Sequence, residues 1–100
     1  MRLKDDSVKV AGMRTELLLA AFIADQVYSD MGLDFVITSV TDGKHSATSL
    51  HYVGAAFDCR IYDQTPNEKI VKEIKRRLNI DYDVVLEGNH IHVEFQPRYR

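Results

Sequence analysis

Phe57-Asp58-Cys59-Arg60-Ile61 and His90-Ile91-His92-Val93-Glu94-Phe95 are the two stretches whose reading decides the fold. In each, apolar residues alternate with charged or imidazole side chains. Successive side chains of a strand point to opposite faces. Phe57, Cys59 and Ile61 therefore share one face, and Asp58 and Arg60 the other. On the second stretch Ile91, Val93 and Phe95 turn inward, while His90, His92 and Glu94 project together. Two such strands imply a sheet with one closed face and one polar face. Where they are neighbours, Asp58 and His92 face one another on the polar side.

The flanking segments complete the sheet and add two helices. Tyr82 to Leu86 reads as a strand joined to His90–Phe95 through the turn-forming Glu87-Gly88-Asn89. Asp34 to Val40 is rich in β-branched residues and reads as a buried strand. Arg14 to Met31 carries Leu17, Ala20, Ala21, Ala24, Val27, Tyr28 and Met31 at three- and four-residue steps, the stripe of an amphipathic helix. Gly32 is its natural stop. Thr65-Pro66-Asn67-Glu68 reads as a second helix start, with Thr65 capping, Pro66 at the first helical position and Glu68 closing a capping box. Ile70, Val71, Ile74 and Leu78 mark that helix's buried stripe. Thr41 to Leu50, with Asp42-Gly43 and small polar residues, reads as a functional loop. The expected architecture is α+β: a small antiparallel sheet with the helices on one face and the other face free for a site.

Composition bounds what such a domain can be. The 100 residues, 45% hydrophobic and 28% charged, suffice for a single domain over 1–100 and are too few for two separate cores. Thirteen Lys and Arg against fifteen Asp and Glu give a net charge of −2, which argues against a nucleic-acid partner. The longest apolar run, Leu17 to Ala24, falls well short of the roughly 20 residues of a membrane span. No membrane partner is expected, and the chain is expected to be a monomer. Met1-Arg2-Leu3-Lys4-Asp5-Asp6 is charged where a signal peptide is apolar. The expectation is therefore cytoplasmic synthesis, with any release to a cell wall depending on another factor. Cys59, the single cysteine, excludes an internal disulfide and reads as a small core residue.

The histidines stand at 45, 51, 90 and 92. His51 lies seven residues before Asp58 and can fold back toward it past Gly54. Two imidazoles and one carboxylate make a three-ligand set for zinc, with the fourth position left for water. Zinc lowers the pKa of that water from about 15.7 toward about 7.

Ser49-Leu50-His51-Tyr52-Val53-Gly54-Ala55-Ala56-Phe57-Asp58 matches Ser-x-His-x-x-Gly-x-Ala-x-Asp at every fixed position. This resembles the zinc signature of the D-alanyl-D-alanine carboxypeptidase group of metallopeptidases, which includes cell-wall carboxypeptidases, dipeptidases and bacteriophage endolysins. His90-Ile91-His92 resembles the His-x-His strand of part of that group. Asp42-Gly43-Lys44-His45-Ser46, Ser49-Leu50-His51-Tyr52 and His90-Ile91-His92 are also similar to the signalling domain of Hedgehog proteins, which shares the fold and zinc site but acts as a receptor ligand. Together the resemblances span about Asp34 to Phe95.

They imply a Hedgehog/DD-peptidase-like fold with one Zn2+ on the polar face. His51 and Asp58 are implied as metal ligands, with His92 as the third. A Glu-x-x-His reading of Glu87-Gly88-Asn89-His90 would make His90 the third ligand instead. Glu87 is implied as general base, with His90 second in line and otherwise steadying the transition state. His45 is implied in substrate contact, and Ser49 in orienting a ligand. Gly54 would permit a tight turn and Ala56 would keep the space between ligands small. The implied activity is zinc-dependent hydrolysis of peptidoglycan stem peptides, of D-Ala-D-Ala carboxypeptidase or L-Ala-D-Glu endopeptidase type. The alternative is a Hedgehog-like binding domain without turnover. One departure stands out: Thr38-Ser39-Val40-Thr41-Asp42-Gly43 lacks the arginine that many of these peptidases carry before the signature. Lys44, His45, Arg60 and Arg14 are the cations that could replace it.

Overall fold

The apolar stripe that begins at Leu17 becomes helix α1, Thr15–Asp30, in a computed structural model that describes residues 1–41 and 55–97. Leu17, Ala20, Ala21, Ala24, Val27 and Tyr28 are its buried residues. Gly32 ends it as expected, with φ +71°. The Gly32 amide donates to Ser29 O and the Leu33 amide to Tyr28 O, at 3.0 and 2.9 Å. That pair of bonds is the Schellman arrangement, which satisfies carbonyls the last helical turn leaves open.

The second helix, α2, spans Asn67–Arg77 and buries Ile70 and Ile74. Its start differs from expectation. Pro66 occupies the N-cap position, and no side chain caps the first turn. The Thr65 hydroxyl donates to the Tyr62 carbonyl, with Asn67 Oδ1 2.8 Å away. The expected capping box does not form because the helix starts one residue later, which leaves Pro66, with no side-chain acceptor, at the cap in place of Thr65.

Five strands among the described residues form one sheet: β1 (Arg2–Leu3), β2 (Val36–Ser39), β3 (Ala56–Arg60), β4 (Tyr82–Glu87) and β5 (His90–Phe95). Their order is β1-β2-β3-β5-β4. The sheet is mixed rather than wholly antiparallel. β1 runs parallel to β2, pairing Arg2 with Val36 and Leu3 with Ile37, while the other neighbours are antiparallel. β4 and β5 form a hairpin across Gly88 and Asn89, and Glu87 pairs with His90 at its closed end.

Both helices cover the same face. Phe57, Cys59, Ile91, Val93 and Val84 lie in one core cluster with the buried residues of α1, Ile70 and Ile74. Aromatic rings build its centre. Tyr28 and Phe35 stand 5.2 Å apart between centroids, and Phe35 meets Phe57 edge-on at 5.9 Å. Tyrosine hydroxyls fasten the layers. Tyr28 donates to the Arg60 carbonyl at 2.8 Å and Tyr82 to the Glu16 carbonyl at 2.7 Å. A buried hydroxyl needs such a partner. Cys59 is fully buried in this layer, as its alternation implies, and burial pushes its thiol up to about 12. No helix among the described residues is long and apolar enough to cross a membrane.

Candidate functional site

The other face of β3 and β5 gathers the polar residues. Register alone brings most of them together. Asp58 pairs directly with His92, and Arg60 with His90. The two-residue hairpin sets Glu87 opposite His90, on the far side of β5 from Arg60. Three adjacent strands thus present Asp58, Arg60, His90, His92 and Glu87 on one patch, because each sits an even number of positions from its neighbours on the same strand.

Side-chain contacts converge on Asp58. It is 9% exposed. Its Oδ1 lies 3.0 Å from His92 Nδ1 and 3.5 Å from His90 Nε2. Glu87 Oε1 lies 3.4 Å from His90 Nε2 and 3.8 Å from His92 Nδ1. Behind His92, its Nε2 meets Glu94 Oε1 at 2.8 Å. His90 turns its Nδ1 to Asn89 Oδ1 at 2.7 Å.

An imidazole between two carboxylates favours its doubly protonated form. The hydrogen bond that Asp58 accepts pushes the His92 pKa up to about 9, with burial opposing and Glu94 adding to it. In this state His92 donates from Nδ1 to Asp58 and from Nε2 to Glu94.

The structure therefore brings together Asp58, His92, His90 and Glu87. His45, Ser49 and His51 lie outside the described residues, as do Gly54 and most of the expected loop. Among the described residues, no three or more His, Cys, Asp or Glu side chains are arranged to hold a metal ion. Asp58 and His92 are thus part of the expected ligand set, with His51 not among the residues described. Glu94 is the participant to which the sequence reading assigned no role. Its signal was present: it stands two residues from His92, on the same face of the same strand. Arg14 stands at the N-cap position of α1, whereas Arg60 is the cation that register sets beside His90. A groove of about 700 Å3 lies elsewhere, between α2 and β4, lined in part by Val71, Lys72, Lys75 and Leu86. It contains none of the converging groups.

Comparison with protein families, with curated proteins and with solved structures returned no match to this chain.

Proposed function

We propose that the chain is a zinc-dependent peptidase acting on peptidoglycan stem peptides. The observation that carries this reading is the convergence of His92, His90 and Glu87 around the nearly buried carboxylate of Asp58. Two ligand atoms of a tetrahedral zinc, each roughly 2.0–2.1 Å from the ion, lie about 3.3 Å apart. The Asp58–His92 distance of 3.0 Å and the Asp58–His90 distance of 3.5 Å bracket that value. His92 is favoured as the histidine ligand because it is closer to Asp58, less exposed, and backed by a carboxylate that orients its ring.

When bound, zinc supplies an acidified water and polarises a peptide carbonyl. Asp58 and His92, with His51, would hold the ion. Glu87 reaches the same patch from the hairpin and would serve as general base at Oε1. His90, beside Glu87, would donate a hydrogen bond to a developing oxyanion. Arg60, next to His90 in register, brings the positive charge that the segment before the signature lacks. His45 and Ser49 keep the roles that the resemblance implies.

The test is hydrolysis of two synthetic peptides, one ending in D-Ala-D-Ala and one containing an L-Ala-D-Glu bond, by zinc-loaded chain. Cleavage of one of them, abolished by chelation and restored by zinc, is expected. Glu87→Gln should lower the rate by about 10²- to 10⁴-fold while zinc content and unfolding midpoint are retained. Hydrolysis indifferent to chelation would overturn the proposal. A zinc-loaded chain that cleaves neither peptide, and in which Glu87→Gln changes nothing, would favour the Hedgehog-like binding domain. The missing upstream arginine is the observation on that side.

A further inference from the structure

We infer that Gln96 is a positioning residue that holds the His92 ring in place through Glu94. The inference rests on the reading of Asp58 and His92 as metal ligands. Asp83 and Glu94 are direct cross-strand partners in the β4–β5 pairing. Two carboxylates in that relation repel one another. Gln96 lies beside both. With its carboxamide nitrogen turned to them, it donates to Glu94 Oε2 and to Asp83 Oδ2, each at 3.1 Å. Its backbone amide donates to the Asp81 carbonyl at 2.6 Å, which anchors the residue just past the end of β5.

One amide group therefore bridges the two carboxylates and fixes the Glu94 carboxylate. The other oxygen of that carboxylate, Oε1, stays on His92 Nε2 at 2.8 Å. A carboxylate on Nε2 keeps the proton there and leaves Nδ1 as the atom for a metal, which fixes both tautomer and ring plane. Nδ1 is the atom that faces Asp58. The path runs from the exposed Gln96 through Glu94 to His92 Nε2, and no member of it beyond His92 touches the expected ion.

Zinc affinity of the full chain, measured by competition with a chromophoric chelator, tests this. Gln96→Ala should weaken zinc binding by about tenfold, the lower end of what loss of such supporting partners costs. Asp83→Asn in the Gln96→Ala background should restore most of that loss. It removes the repulsion and offers Glu94 an amide donor from the opposite strand. A role of Gln96 in strand-end packing alone would not be rescued this way. Nitrogen NMR of the zinc-loaded chain should show His92 protonated at Nε2, and a mixed or inverted pattern in Gln96→Ala. Unchanged affinity and an unchanged His92 pattern in Gln96→Ala, with the parent chain binding zinc, would overturn this inference alone. Failure of the parent chain to bind zinc would overturn the metal reading and this inference with it.

Discussion

The two faces of the sheet are made from alternate residues of the same strands, yet they follow opposite rules. On the helix side Phe57, Cys59, Ile91 and Val93 are each fully buried among apolar neighbours. On the other side Asp58, His90, His92, Glu94 and Glu87 contact one another through polar atoms. The first face lowers free energy by leaving water. The second is costly to assemble unless its charges are paired or hold an ion. A one-residue slip of β5 would exchange the faces, so the core pins the register that the polar patch needs.

Substitutions on the two faces should separate stability from chemistry. The largest expected effect is from Asp58→Ala. It should reduce zinc affinity by more than about 100-fold and abolish peptide hydrolysis, read by metal analysis and peptide assay. It should also return the His92 pKa from about 9 toward its ordinary 6.5, read by proton NMR of the metal-free chain. Phe57→Ala, one residue away, should cost about 3–5 kcal/mol in denaturant unfolding, and whatever remains folded should still bind zinc. Retention of zinc by Asp58→Ala would break the contrast between the faces.

The pH dependence sharpens it. The folded pKa of His92 is raised above the ordinary value. Its contribution to the stability of the metal-free chain is therefore complete below about pH 6.5 and is lost as pH rises through about 9. Zinc requires the neutral ring, so binding near pH 7.5 should expel about one proton from His92. Apparent affinity should rise about tenfold per pH unit up to about pH 9 from this group. Calorimetry in buffers of different ionisation enthalpy counts the proton. Zinc binding that releases no proton would remove His92 from the ligand set. The smallest effect belongs to neither face: Gly32→Ala, at φ +71°, should cost about 1 kcal/mol and leave zinc binding unchanged.

Much of this was legible because it is local or periodic. The α1 stripe and Gly32 lie within a few turns of chain, and the Phe57–Ile61 alternation sorts side chains by face without any knowledge of partners. The pairing of Asp58 with His92 was legible only conditionally, since alternation states which face a residue takes and not which strand lies beside it. β1 was not legible. Arg2 and Leu3 are too few to show a period, and their parallel partner Val36–Ile37 is more than thirty residues away. The capping box failed for a different reason: the helix starts one residue later than the motif assumes, so Pro66 and not Thr65 holds the cap position. In the site, Glu94 was visible as a neighbour of His92. Gln96 was not, because its part depends on Asp83 lying across from Glu94.

The order of strands carries a consequence for how the molecule comes into being. β5 occupies an interior position in the sheet although it is the final strand in sequence among those described. A ribosome must deliver Phe95 before β3 and β4 can be bridged. Until then the emerging polypeptide lacks Ile91 and Val93 of its interior and the His90 and His92 imidazoles of the polar face. Maturation should be abrupt, with protease resistance and the Asp58–His92 contact arising in the same step.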